Sequence, residues 1–241
     1  MLIVEFCGTP GCGKTTLCDE VEAELRAMGY KVKNLQKPKQ DYTLVGRIKK
    51  VICKYWYRYI PLNHRLKKSL KKIEPFLAKD SQINWLDRML ESSYKVKKAE
   101  ATGIEIGLFD EGCLQFITSV FHEKEIAVDA QNVIDVLVDQ VYQERTLIFN
   151  CQIDNEENYL RLVKRGRPDD RFLQGNKEDT LCLLMHKQYN IERVLDMLKE
   201  RENSLVVGIE EFPKKNEVLE KIICKYNELY DLKRGKKVGG V

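Results

Sequence analysis

The sequence predicts a parallel α/β domain, on three observations. Short apolar strand-like runs alternate with helical patterns along the chain. The glycine-rich run Gly8-Thr9-Pro10-Gly11-Cys12-Gly13-Lys14-Thr15 stands between the first strand and the first helix. A carboxylate, Asp110, closes the third strand. Such a sheet, covered by helices on both faces, binds ligands at the carboxyl ends of its strands.

The elements follow in order. Leu2–Phe6 is the first strand, and Leu17, Val21, Ala23, Leu25 and Met28 fall at roughly helical spacing after the glycine-rich run. Lys31–Gln36 reads as a second strand, stopped by Lys37-Pro38. A basic, largely helical insertion spans about 42–100, interrupted by Pro61 and Pro75. Ile104–Phe109 is the third strand, ending at Asp110-Glu111-Gly112, and helical patterns cover about 113–122 and 128–143. Thr146–Cys151 is the fourth strand and Glu156–Lys164 a helix. The stretch 165–175, rich in Arg, Asp, Gly and Pro, reads as a loop. A long helix at about 178–201, a fifth strand at Ser204–Ile209 and a helix at about 214–230 complete the pattern, before a loose basic tail. All 241 residues are expected to form one domain.

The run from Gly8 satisfies G-x-x-x-x-G-K-[ST] in the strand-to-helix context that gives the pattern meaning. Backbone N–H groups of Gly8, Gly11, Cys12, Gly13, Lys14, Thr15 and Thr16 are placed to wrap phosphates at a helix N-terminus. Lys14 reaches the β- and γ-phosphate oxygens, and the Thr15 hydroxyl holds Mg²⁺. The expected ligand is therefore a nucleoside triphosphate, ATP, with Mg²⁺. Asp110 stands where a carboxylate faces the same Mg²⁺, and Glu111 offers a second carboxylate that could orient or deprotonate an acceptor. Arg161, Lys164, Arg165, Arg167 and Arg171 join a helix end to a Gly/Pro-punctuated loop. Arginine suits that place because its planar fork binds phosphate oxygens and stays charged. A cue of another kind, Asn176-Lys177-Glu178-Asp179, spells the N-K-x-D of GTPases. It follows a loop rather than an apolar strand, and Cys113 occupies the place of the partner motif's glycine, so coincidence accounts for it.

Composition narrows the partners. The net charge is +4, yet Tyr42 to Ile73 holds ten Lys/Arg and no acid. Ile48, Val51, Ile52, Tyr55, Trp56, Tyr59 and Ile60 form one apolar helical face there, with Lys49, Lys50, Lys54 and Arg58 opposite. Besides a merely solvated face, the basic 47–72 segment suits an anionic small-molecule acceptor, a nucleic-acid backbone or an anionic membrane surface. No apolar run is long enough to span a bilayer, and the six-residue apolar start contains Glu5. Eight cysteines lack C-x-x-C pairing, and Cys7, Cys151 and Cys224 lie in apolar runs as expected core thiols. A cytoplasmic protein is expected. The oligomeric state is open, a homodimer being one assembly the sequence allows.

The phosphate loop Gly8–Thr16, the strand ending in Asp110, "IDNEENYLRLVKRGRPDDRF" and "HKQYNIERVLDMLKERENSLVVGIE" together resemble the P-loop nucleoside monophosphate kinases, and within them the thymidylate kinases. The resemblance covers most of the chain. It implies a five-stranded sheet in the order 2-3-1-4-5, ATP–Mg²⁺ as phosphoryl donor, and Arg165, Arg167 and Arg171 as the arginines of a lid at about 165–175. Two departures lie on the acceptor side. Thymidylate kinases carry Asp-Arg after the third strand and an acidic residue with glycines after the second. This chain has Asp110-Glu111-Gly112 and Lys37-Pro38-Lys39-Gln40. The resemblance implies a kinase, and the two departures point away from thymidylate and leave the acceptor unidentified. An ATPase or nucleotide switch acting through a partner is the second reading.

Overall fold

Seven successive buried residues, Leu2–Gly8, form strand β1, as a strand must when both faces of its sheet are covered. The computed structural model describes residues 1–36, 88, 91–92, 94–120, 146–166, 171–199, 205–207 and 214–238. β1 is followed by α1 (Lys14–Ala27), β2 (Val32–Asn34), β3 (Ile106–Phe109), α2 (Cys113–Val120), β4 (Thr146–Cys151), α3 (Asn155–Arg165) and a 3₁₀ turn (Arg171–Leu173). Then come α4 (Lys177–Lys199), β5 (Leu205–Val207) and α5 (Lys215–Val238). Residues 94–101 are also helical.

The body of the sheet runs β2-β3-β1-β4, with every pairing parallel. Leu205–Val207 adds a three-residue edge beside β4, Leu147 facing Leu205. β1 pairs Ile3 with Gly107 on one side and with Thr146 on the other. Because side chains alternate along a strand, β1 divides its residues between two layers. Leu2, Val4 and Phe6 pack with Leu17, Val21 and Leu25 of α1 and with Val218, Leu219 and Ile222 of α5. Ile3 packs on the other face with Leu35, Ala99 and Phe109. The Phe6 and Phe149 rings stack at 5.6 Å between centroids, joining the centre of the sheet.

Several boundaries differ from the sequence expectation for identifiable reasons. The second strand stops at Asn34 rather than Gln36, because the Asn34 side chain accepts from Gln36 N (2.9 Å) and turns the chain. The last helix does not give way to a loose tail after residue 230 but continues to Val238. Its apolar face continues through Ile223, Tyr226 and Leu229, which pack on the main core, and no proline interrupts it. Cys7 and Cys151 are buried as expected, whereas Cys224 is exposed, facing away from that packed side of α5. The basic segment 47–72 and the expected helix at 128–143 lie outside the described residues. No helix among the described residues is long and apolar enough to cross a membrane.

Candidate functional site

β1 ends at Gly8, and the chain turns through Thr9 to Gly13 into α1. Gly13, the residue before the helix, has φ +96°, a left-handed conformation that L side chains rarely adopt. Among the described residues no side chain caps the helix there, a start suited to an incoming anion. Lys14 is folded beneath the loop. Its Nζ donates to Gly8 O (2.9 Å) and Thr9 O (2.8 Å) and lies 3.6 Å from Cys12 Sγ. Cys12 is fully buried and fills the space inside the turn.

The next residue joins this loop to the third strand. Thr15 Oγ1 donates to Asp110 Oδ2 at 2.9 Å, although 95 residues separate the two. Asp110 is 9% exposed, and its Oδ1 is buried with no hydrogen-bond partner among the described residues. An unpaired buried carboxylate oxygen is costly, and a divalent cation is a natural partner for it. A hydroxyl and a carboxylate are hard oxygen donors, so Thr15 and Asp110 fit Mg²⁺. Thr16 and Glu111 are both exposed beside this corner.

A residue not singled out from the sequence as functional lies beneath the Asp110 turn. Glu5, on β1, is 1% exposed, and its Oε1 accepts from Leu114 N (2.8 Å) and Gln115 N (3.3 Å). A carboxylate at the N-terminus of α2 satisfies amides that the helix itself cannot, and it favours the helix dipole. Gly112 makes the approach possible. A Cβ there would overlap the Glu5 carboxylate, with Oε1 only 2.6 Å away. Gly112→Ala is therefore expected to destabilise the protein by about 3 kcal/mol, through overpacking and loss of charge-assisted hydrogen bonds. A chemical-denaturation midpoint within error of the parent would refute this.

The network extends to α4. Gln115 Oε1 accepts from Gly8 N (3.4 Å), and the fully buried Lys187 donates to Thr118 Oγ1 (2.7 Å) and Gln115 O (3.4 Å). The cysteines around these groups are not poised as nucleophiles. Burial pushes the Cys7, Cys113 and Cys151 thiols well up, and the Glu5 charge adds to the effect on Cys7 and Cys113.

α3 (Asn155–Arg165) carries Arg161 and Arg165. Asp154 caps it, accepting from Glu156 N (2.9 Å) and Glu157 N (3.1 Å). Gly166, with φ +57°, ends it just after Arg165. Arg165 and Arg161 are both exposed, and Arg161 is paired with Glu157 at 2.6 Å. Arg171 begins the 3₁₀ turn, which is pinned by the buried Phe172 and by Thr180 Oγ1 donating to Phe172 O at 2.6 Å. Arg167 lies outside the described residues. The N-K-x-D cue is a helix start. Asn176 Oδ1 accepts from Asp179 N (2.9 Å), and Asp179 Oδ2 accepts from Asn176 N (3.1 Å), a reciprocal capping box for α4.

A parallel sheet with the glycine-rich turn after β1 and a carboxylate after β3 defines a P-loop type of α/β architecture. The chain is similar in fold to a deoxyadenosine kinase from M. mycoides with the products dCMP and a flexible dCDP bound, with TM-score 0.50 and 16% identity. That match covers 94% of this chain and 100% of the kinase chain. A structure of deoxyadenosine kinase from M. mycoides with dATP bound covers the same shares at TM-score 0.47 and 16% identity. No protein-family model and no curated protein matches the sequence. What the chain shares with that kinase is the fold.

Proposed function

We propose that the chain is an ATP-dependent phosphotransferase of the nucleoside and nucleotide kinase class. The observation that carries this reading is the Thr15–Asp110 hydrogen bond at 2.9 Å beside an uncapped helix start and Lys14, in a fold shared with a deoxyadenosine kinase. In the reaction, an acceptor oxygen attacks the γ-phosphorus of ATP, the bond to the bridging oxygen breaks, and ADP leaves. Lys14 exchanges the carbonyls of Gly8 and Thr9 for phosphate oxygens, and the N–H groups of Gly11 to Thr16 hold the β-phosphate. Thr15 and Asp110 would hold Mg²⁺, which supplies charge neutralisation for the transferring group. Glu111, exposed beside Asp110, takes the acceptor proton.

Arg165, Arg167 and Arg171 neutralise charge that develops on the transferred group. If Arg167 acts mainly in the transition state, while Arg165 also meets the phosphates of the bound triphosphate, Arg167→Ala lowers kcat by about a hundredfold while changing ATP affinity about twofold or less. Steady-state kinetics beside equilibrium nucleotide binding separates the two, and equal losses in both would assign Arg167 to ground-state binding.

The acceptor is an anionic compound, a reading supported by the ten cations from Tyr42 to Ile73 in the sequence. Nucleic acid and an anionic membrane are the other partners that segment suits. The deciding experiment incubates the protein and Mg²⁺–ATP with a panel of nucleosides, nucleotides, phosphorylated sugars and polynucleotide ends, and detects phosphorylated product by mass spectrometry. A product accompanied by stoichiometric ADP establishes the kinase. ADP formed without any acceptor, and stimulated by nucleic acid, vesicles or protein, would instead establish a partner-driven ATPase.

A further inference from the structure

α3 does more than carry arginines. Asn158 is fully buried within it, and its Nδ2 donates to Thr9 Oγ1 in the phosphate loop at 2.6 Å, across 149 residues of chain. One turn further on, Leu162 is also fully buried. Together these two side chains cover Gly11: a Cβ on Gly11 would lie 2.6 Å from Asn158 Oδ1 and 3.1 Å from Leu162 Cδ2. Residues at i, i+4 and i+7 share a helix face, so Arg165 occupies the same face two turns beyond Asn158. The face that grips the phosphate loop thus ends in an arginine.

Asn158 is also an odd choice for this position. Asparagine is a poor helix former, and a small apolar residue would pack against Gly11 without an unmet polar group. Its Oδ1 is buried and has no hydrogen-bond partner among the described residues. Exchanging the amide's oxygen and nitrogen would let the Thr9 hydroxyl donate instead, but one end of the amide would still be engaged and the other idle. Keeping a buried unpaired amide end costs stability, which calls for a compensating role.

We propose that Asn158 is a positioning residue that locks α3 onto the phosphate loop, so that Arg165 is held at a fixed place relative to a bound triphosphate. The inference rests on the kinase reading in one respect: Arg165 must meet the phosphates. The lock itself is a contact between Thr9 and Asn158, and it can be tested without nucleotide.

The test uses the full chain and Asn158→Ala, Thr9→Val, Arg165→Ala and their double variants, each checked for a cooperative melt. Hydrogen exchange at the Gly11, Cys12 and Gly13 amides should quicken about tenfold in Asn158→Ala and to the same degree in Thr9→Val, as loss of one buried hydrogen bond implies. Unchanged exchange in both variants overturns the lock. With Mg²⁺–ATP as the probe, Asn158→Ala and Thr9→Val should each weaken binding about tenfold, and the double variant no more than either one. In the Arg165→Ala background, Asn158→Ala should cost less than about twofold. Losses that multiply, or a full Asn158 effect without Arg165, overturn the proposal. A parent protein that binds no ATP while its loop exchange still responds to Asn158→Ala refutes the kinase reading and leaves the lock standing.

Discussion

Lys14→Ala is expected to lower ATP-dependent phosphoryl transfer by about a thousandfold, the scale on which a single preorganised charge acts on a transferring phosphoryl group. The structure makes the effect specific. Lys14 Nζ is 2.9 Å from Gly8 O and 2.8 Å from Thr9 O, so the ammonium sits inside the turn where the phosphates would be wrapped. Lys14→Arg is not a rescue, since a planar fork does not fit a space shaped for a point charge. The measurement is acceptor-dependent ADP formation, with circular dichroism showing that both variants remain folded. Turnover within about tenfold of the parent would remove this loop from the chemistry.

Asp110→Asn should have the next largest effect. The amide keeps the shape of the side chain and leaves one oxygen to accept from Thr15 Oγ1, now 2.9 Å from Asp110 Oδ2. It removes the negative charge that a divalent cation requires. Turnover is expected to fall about a hundredfold, and the Mg²⁺ concentration giving half-maximal rate to rise at least about tenfold. ATP binding measured in excess chelator should stay within about twofold of the parent. An unchanged Mg²⁺ dependence would take Asp110 out of the metal corner and leave Thr15 with a merely structural partner.

How far the sequence revealed this molecule depended on whether a signal was local. Thr146–Cys151 centres on the apolar, β-prone Leu147-Ile148-Phe149 between Arg145 and Gln152, and β4 has those bounds. The glycine-lysine-threonine turn and Asp110 were legible because each follows a strand. The pattern extends β2 to Gln36, whereas its end is set by the Asn34 side chain and by Asn34 N, which donates to Glu22 Oε1 at 3.1 Å. Neither bond has a signature in a propensity pattern. Asn158 and Gln115 were not legible as site residues, because their importance comes from what lies opposite them across the fold. Glu5 left a trace: a carboxylate within a strand buried on both faces breaks the expected apolar run. Such an interruption signals a buried partner, here the amides that open α2.

The long reach of these contacts bears on how the molecule comes to be assembled. Thr15 meets Asp110 across 95 residues, Glu5 meets Leu114 across 109, and Thr9 meets Asn158 across 149. Such pairings become favourable only after distant segments have been brought together at an entropic cost. During synthesis the glycine-rich turn lacks its carboxylate neighbour until β3 has been made, and its buttress until α3 has been made. A ribosome-bound chain ending before α3 should therefore hold nucleotide poorly despite carrying the whole signature run. The motif is written within the first 16 residues, but the working cradle is a property of the finished chain.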